Sequence, residues 1–301
     1  MIICPECACK LEKIDAQCPV CQWENKDVDG IPILLSNNDR QDDFFAQYIH
    51  NYDQVAEDDL DSDILDPVYV RHQVENMASF VGSQAGMKVC DVGSGRGHLA
   101  RALRDSGAES VTTVDVALPY LRNLKNEPGI RPIMANGENL PFADEFDVIT
   151  TTDVMEHVLN IGSLLFSLNR SLRLGGRLFA RVPYNENLLP YSPHQGCNYR
   201  FVHLRSFNEA ILRAYLEGAG FAIQGFHYDG FILGRPQPFW MQNKRRQLIY
   251  NRFQQECYKR LDNPADVTRW PSRWASLFMP PCEIGVAAKK TAEIHSKTLT
   301  N

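Results

Sequence analysis

Two groups of residues carry types and spacings that can do chemistry. The first is Cys4, Cys7, Cys18 and Cys21, a C-x2-C-x10-C-x2-C pattern at the head of the chain. Each C-x2-C pair lets two thiolates reach one ion from a tight turn, and Pro5 and Pro19 favour such turns. Four sulfurs in a closed tetrahedron suit a structural Zn²⁺ and leave no open position for catalysis. Disulfides are the competing reading, set aside for a reducing compartment. Cys9 is a spare, read as a bystander, with a role as alternative ligand left open.

The second group is Gly93, Gly95 and Gly97, at alternate positions in VCDVGSGRGHLA (89–100) and just behind Asp91. The dinucleotide fingerprint needs G-x-G-x-x-G, so this G-x-G-x-G loop points to a different nucleotide. An adenosine carrying an amino acid makes its own demands. Its ammonium needs a carboxylate or carbonyls near the loop, where Asp91 is placed to help directly or through water. Its ribose hydroxyls need an acid at the end of the next strand, where Asp115 stands. Its adenine amino group needs an acceptor after the third strand.

These residues need a parallel sheet to position them. From about residue 70 the chain alternates β-like runs with helical patterns. MKVCDV, SVTTVDV, RPIMA, FDVITTTD and GGRLFARVPY read as five strands, FAIQGFHYDGFIL as a sixth and EIGVAAKK as a seventh closing an antiparallel edge. VRHQVENMASFVG (70–82), HLARALRDSG and LLFSLNRSLRL read as helices. Ligands in such sheets sit beyond the carboxyl ends of the strands, at the switch in strand order.

The ordered set VCDVGSGRGHLA, VDVA, ANGENLPFADEFDVITTTDVMEHV and LRLGGRLFARVPY resembles the successive motifs of class I S-adenosylmethionine-dependent methyltransferases, over roughly residues 85–185. The resemblance implies a Rossmann-like seven-stranded α/β fold, with S-adenosyl-L-methionine held by Asp91, Gly93, Ser94, Gly95, Gly97, Asp115, Val116, Asn136, Gly137, Glu138 and Asp153. One departure is that relatives often have Asp-Ala-Glu before L-P-F, where this chain has Asn136, Gly137 and Glu138. The Asn136 carbonyl can accept the adenine hydrogen bond without the charge, and the backbone of Gly137 or Glu138 is the alternative. The N-terminal segment, ending in DGIPILL, resembles the small zinc ribbons of the Trm112-like kind.

Methyl transfer to a hydroxyl also requires removal of a proton. Asp153 and His157 in DVMEHV follow the fourth strand, and their spacing could put both on one helical face. A purely structural role for Glu156 and His157 competes with catalysis. After the fifth strand, VPYNENLLPYSPHQGCNYRFVHLRSFNE holds His194 and His203 beside Tyr191, Tyr199 and Arg205. His203, then His194, then His157 are the candidate bases. Ser206 and Glu209 read as a capping box for the next helix. Relatives acting on glycans often show a similar H-L-R-S-F element.

Bulk properties set the remaining limits. The 301 residues are 44% apolar and 23% charged, with a net charge of −6, as in an ordinary soluble chain. Residues 36–66 hold ten acids and one base, Arg40, whereas 235–275 hold nine bases and three acids. The sequence therefore divides into a zinc ribbon (1–35), an acidic connector (36–66) whose FFAQYIHNY stretch lies as a helix across the mouth of the next domain, and a methyltransferase domain (67–290). That domain carries a basic helical insert at about 236–280, and a tail covers 291–301. Leu248, Ile249, Phe253, Tyr258 and Leu261 form a partial stripe on the insert's helix. A packed extra helix, a peripheral membrane contact through Trp270, Trp274 and their arginines, and an RNA surface are the readings of this insert. With no long apolar run and no secretion-type start, the expected location is cytoplasmic, or on the cytoplasmic face of a membrane. The favoured acceptor is an oxygen of a sugar, glycan precursor or other small molecule. Ribosomal RNA is the alternative, and the acidic charge and the missing [N/D]-P-P-[Y/F] element weigh against nucleic acid.

Overall fold

The computed structural model describes residues 1–197 and 199–293. After the cysteine knuckles, β1 (Lys26–Val28) and β2 (Ile31–Ile33) form an antiparallel hairpin. Its two-residue turn is Asp29–Gly30, both with positive φ (56° and 80°), the sequence type that such turns select. β2 then runs parallel to a strand of the main sheet, with Ile33 opposite Met134. The ribbon is thus fused to the catalytic sheet, where the sequence suggested a separate module. Ile3 N–H to the Pro141 carbonyl (2.9 Å) and Asn139 Nδ2 to the Pro5 carbonyl (2.8 Å) tie the knuckle to the same edge.

Three helices follow. α1 (Asn37–Gln41) starts on a capping box formed by Ser36 and Asp39, and α2 (Asp43–Asp61) on Asp42. α3 (Pro67–Val81) starts earlier than the apolar pattern indicated, because Asp66 caps it and Pro67 suits the first helical position. The connector is therefore helical, and α2 lies over the sheet's ligand edge: its Asp53 accepts the Leu118 N–H (2.9 Å) and its Asp59 pairs with Arg96 (2.8 Å).

The wound sheet is built from β3 (Lys88–Val92), α4 (His98–Asp105), β4 (Ser110–Asp115), α5 (Leu118–Leu124), β5 (Ile130–Met134), β6 (Phe146–Thr152), α6 (Ile161–Ser171) and β7 (Leu172–Pro183). It continues through α7 (Glu209–Gly218), β8 (Phe221–Asp229), α8 (Pro238–Met241), α9 (Lys244–Arg260), α10 (Ser272–Phe278) and β9 (Glu283–Lys290). The order is β1-β2-β5-β4-β3-β6-β7-β9-β8, with β9 antiparallel to both its neighbours. Seven of the nine strands are the sheet strands read from the sequence, and the other two belong to the ribbon, whose segment after the Asp29–Gly30 turn also reads as a strand. β9 does not close the edge; it inserts between β7 and β8. Val89, Cys90 and Val92 of β3 are buried, as helices on both faces require. α7 is capped by Asn208, whose side chain accepts the Ile211 N–H (2.9 Å), so the Ser206 capping box is not formed.

The insert packs through Tyr250, Phe253 and Cys257, with Phe253 stacked on Phe278 at 4.1 Å. Leu248, Ile249 and Tyr258 of the expected stripe face outward instead. Residues 294–301 of the tail lie outside the described residues.

Candidate active site

The strand order reverses beside β3, which brings the loops after β3 and β6 together. Asp91, near the end of β3, is buried and accepts the Thr150 hydroxyl at 2.7 Å. Burial pushes its carboxyl up to about 6; Thr150 opposes this and Asp115 adds to it. The Gly95 N–H donates to Asp115 Oδ2 (2.9 Å) and the Ala117 N–H to Oδ1 (2.9 Å), so the β4 carboxylate also braces the glycine loop. The three glycines differ in what they do. At Gly95 a Cβ would meet nothing within 4 Å, so its backbone faces open space. At Gly93 a Cβ would strike Val154 (2.1 Å), and at Gly97 it would strike Leu124 (2.4 Å). Those two allow close packing, and Gly97 also caps α4.

Asp91, Gly93, Ser94, Gly95 and Asp153 line a cleft of about 720 Å³, together with Tyr120 and Arg181, which the sequence did not single out. Gly97 and Asp115 are not among its walls, and neither are Val116, Asn136, Gly137 and Glu138. The last four lie under a roof made by α1 and α2. Asn136 Nδ2 donates to Asp39 (2.9 Å), and its Oδ1 accepts the Glu138 N–H (2.9 Å). Glu138 accepts the Leu159 N–H (2.8 Å), Gly137 fits against Leu164 and Val92, and Val116 packs with Phe45 and Tyr48 of α2. Asn136 therefore has polar partners in this state, where the sequence assigned it to adenine.

Beyond β6, residues 153–158 make a single turn and not the helix that would set Asp153 and His157 on one face. Asp153 instead pairs with the largely enclosed Arg181 of β7. Arg181 also approaches Glu283 at 3.5 Å, and Tyr69 and Gln73 donate to that same carboxylate. His157 meets His203, with ring centroids 4.6 Å apart, and His203 stacks on Tyr191 at 4.2 Å. His203 Nδ1 pairs with Glu186, which also accepts the Tyr191 hydroxyl (2.6 Å). Tyr52 of α2 contacts His157 Nδ1 at 2.9 Å. Burial, then the neighbouring His203, hold His157 down at about 4, so its imidazole is neutral at physiological pH. Glu156 is fully buried, and burial with nearby Asp153 raises its carboxyl well above the carboxylate range. Asp153, Asn185, Phe201 and His203 all have positive φ, so backbone strain is concentrated here.

His194 is not part of this cluster. It is exposed on a short 3-10 turn (193–195), and the candidate base role assigned to it has no structural setting. Arg205 holds the turn by donating to the Met155 carbonyl (2.8 Å) and the Leu159 carbonyl (3.2 Å). Tyr52 and Arg181 escaped sequence reasoning because their partners His157 and Asp153 lie 105 and 28 residues away, whereas Glu186, in the same loop as His203, belongs to no motif that marks it.

In the N-terminal segment, the sulfurs of Cys4, Cys7, Cys18 and Cys21 all lie within 4.8 Å of one another. Cys4 and Cys21 are 3.6 Å apart and Cys7 and Cys18 3.5 Å, close to the roughly 3.8 Å between sulfurs around a tetrahedral zinc. The Glu6 N–H points at Cys4 Sγ and the Cys21 N–H at Cys18 Sγ, both at 3.4 Å. Burial opposes ionisation of Cys18, but the Cys21 N–H and the Cys9 thiol outweigh it and hold Cys18 at about 5. This donor set fits Zn²⁺. Cys9 Sγ stands 3.1 Å from Cys18 Sγ, as a fifth sulfur at the rim.

Residues 67–224 match the family model described as a methyltransferase domain. The chain belongs to that family. A malonyl-[acyl-carrier protein] O-methyltransferase of Pseudescherichia vulneris is 33% identical over 108 residues, covering 35% of this chain and 43% of that protein. A ubiquinone biosynthesis O-methyltransferase of Pseudomonas entomophila is 34% identical over 104 residues, covering 32% and 44%. The match thus spans less than half the length of these relatives. Among solved structures, a chain of the complex between the Haloferax volcanii Trm112 methyltransferase activator and a methyltransferase aligns with a TM-score of 0.53 at 17% identity, covering 84% of this chain and 99% of that one. A Bacillus halodurans methyltransferase structure gives 0.50 at 16% identity, covering 73% and 99%. These likenesses establish the class I methyltransferase fold of this domain. No helix among the described residues is long and apolar enough to cross a membrane.

Proposed function

We propose that this chain transfers a methyl group from S-adenosyl-L-methionine to an oxygen of a small molecule, a sugar or glycan precursor being the leading class. The observation that carries the reading is the adjacency of two halves. Asp91, Gly95 and Asp153 line an open cleft, and the same loop after β6 continues in the chain to the largely enclosed Glu156–His157–His203–Glu186 cluster, whose members are not among the cleft's walls. Asp91 would face the cofactor's ammonium, the Gly95 backbone would lie against the amino-acid portion, and Asp115 would take the ribose hydroxyls. When bound, the sulfonium supplies a methyl group activated for in-line displacement. The protein's own task is to align the acceptor oxygen and help it shed a proton. An oxygen acceptor is supported by the O-methyltransferase relatives, and the cluster of ionisable groups offers a means of taking its proton. The cysteine knuckle is read as a structural zinc ribbon.

The outward face of the insert supports a peripheral contact with an anionic membrane. Leu248, Ile249, Trp274 and Leu277 are each 53% exposed beside Arg245, Arg252 and Arg273.

The test is methyl transfer from labelled cofactor into extract fractions from cells lacking the protein. Label in alkali-stable methyl ethers of the small-molecule, lipid or glycan pool supports the reading; label in RNA overturns it. Asp115→Ala removes charge-assisted hydrogen bonds and is expected to cut cofactor affinity roughly 10–100-fold. Unchanged affinity by calorimetry would reject the ribose role given to Asp115.

A further inference from the structure

We propose that Glu156, His157 and His203 form a divalent-metal site that binds and ionises the acceptor oxygen. The inference rests on the reading of the chain as an oxygen methyltransferase, and it names how the acceptor end of that site works.

The first observation is a carboxylate without a partner. Glu156 is fully buried, yet neither of its oxygens has a hydrogen-bond partner among the described residues. A buried polar group left unpaired is costly, so such a group signals a missing ligand. The second is what surrounds it. One donor atom from each of Glu156, His157 and His203 lies within 4.8 Å of the other two, and His157 Nε2 is 3.9 Å from Glu156 Oε1. Donors bound to one ion at ~2.1 Å stand about 3 to 3.5 Å apart, so a small contraction closes the site.

The third observation is the orientation of the imidazoles. The Tyr52 hydroxyl donates to the Phe201 carbonyl (2.9 Å), which leaves its oxygen to accept from His157 Nδ1–H. Glu186 likewise accepts from His203 Nδ1–H. With Nδ1 engaged in this way, Nε2 is the nitrogen that each ring has left to offer an ion. An acceptor on the far nitrogen is the usual support behind a metal-bound histidine. Asp153 is committed to Arg181 and Cys197 points to the Tyr199 carbonyl, so neither joins the set.

Two imidazoles and one carboxylate favour Mn²⁺, Fe²⁺, Co²⁺ or Zn²⁺ over Mg²⁺ or Ca²⁺, and three protein ligands leave positions open. A hydroxyl bound there loses its proton to solvent water at lower pH than when free. The oxygen lone pair then forms the O–CH₃ bond, and the electrons of the broken S–CH₃ bond remain on sulfur as a neutral thioether. His203 is a ligand in this scheme and not the base, since one nitrogen lone pair cannot serve both roles.

The experiment uses full-length protein with zinc in the ribbon, titrated with Mn²⁺ and followed by the free-ion electron paramagnetic resonance signal; Co²⁺ and Zn²⁺ binding are then measured by calorimetry. One additional ion per chain is expected. Glu156→Gln and His203→Asn should abolish its binding, Glu186→Gln should weaken it roughly 10–100-fold, and His50→Asn on the outer face of α2 should leave it unchanged. Failure of all three ions to bind beyond the ribbon's zinc overturns the site, as does binding that survives His203→Asn. Should Glu156→Gln not fold, His203→Asn and chelator treatment of the unmodified protein decide. Oxygen methylation that persists without bound metal rejects this inference and leaves the function standing. A bound ion with label entering only RNA does the reverse.

Discussion

The cysteine knuckle and the Glu156–His157–His203 cluster both draw donor atoms to within 4.8 Å, and they are built in opposite ways. The knuckle's four sulfurs come from two turns of one short segment, so residue spacing alone brings them together. The other cluster joins a turn after β6 to a loop before α7, and it is oriented by Glu186 and by Tyr52 from the connector helix. A local site can be read from spacing because few backbone angles separate its members. A non-local site requires the whole sheet to exist first. The same contrast separates their chemistry: a closed set of soft thiolates suits a structural ion, and a mixed, open set suits a reacting one.

The comparison breaks most visibly if the knuckle is dispensable. Structural zinc binding contributes on the order of 10 kcal/mol to folding such a module. Trp23, Cys4 and Cys18 belong to the same buried core as β3 and β6, and β2 extends the sheet at β5. Cys18→Ser, or chelation, is therefore expected to lower the main thermal transition and not merely to release a frayed end. An unmoved transition with zinc lost would show that ribbon and sheet are energetically independent. The next largest effect lies in the other cluster. His203→Asn should reduce turnover roughly 10²- to 10⁴-fold, as for loss of a group that assists proton removal. Cofactor affinity should stay within a factor of about two, since Asp91, Gly95 and Asp115 do not touch the ring. A matched loss of affinity would mean that the ring supports the cofactor cleft.

How far the molecule could be read from its sequence follows the same division. The seven strands of the wound sheet, the glycine loop and the cysteine set depend on local periodicity, turn residues and spacing. The Asp29–Gly30 hairpin was visible as a turn, but its parallel pairing with β5 was not, because Ile33 and Met134 are a hundred residues apart. The connector was legible as something able to pack. That its Asp39 and Tyr52 would bind Asn136 and His157 was not. His203 was legible as a histidine in a rich loop, and so was His194. Only the structure separates them, through Glu186 and Tyr191 on one side and open solvent on the other. The stripe on α9 misled for a different reason: Leu248 and Ile249 are apolar and adjacent, and helical phase turned both away from the core in favour of Tyr250, Phe253 and Cys257.

Asp91 gives a sharper and smaller test of the cofactor half. Its carboxyl is pushed up to about 6 by burial, so the folded state holds the proton more tightly than the unfolded chain does. Between about pH 4 and 6 the unfolded state therefore releases its proton first, and stability falls as pH rises. The loss is complete above pH 6 and amounts to at most about 3 kcal/mol. Asp91→Asn keeps an acceptor for Thr150 and removes the charge. The variant's stability relative to the unmodified protein should rise between pH 4.5 and 7.5, measured from denaturant midpoints without cofactor. Cofactor affinity in the unmodified protein should move the opposite way, weakening below about pH 6 as the ammonium loses its anion. A stability difference independent of pH would place the Asp91 titration outside this window.

The smallest expected effect concerns the insert, where Arg245, Leu248, Ile249 and Arg252 are exposed on one face of α9 and Arg273, Trp274 and Leu277 are exposed on α10. Each arginine near an anionic bilayer contributes about 1 kcal/mol, an attraction that salt weakens within a Debye length. Arg245→Glu, Arg252→Glu and Arg273→Glu together should therefore release the protein from phosphatidylserine-containing vesicles, with little change in binding to neutral ones. The three side chains are exposed, so thermal stability should change little. If retention on vesicles instead survives charge reversal and follows Leu248 and Trp274, apolar insertion dominates, and the membrane contact would not require anionic lipid. If neither set of changes alters retention, the outward face of the insert is only the solvated side of a packed helix. The acceptor must then reach Glu156 and His203 from solution.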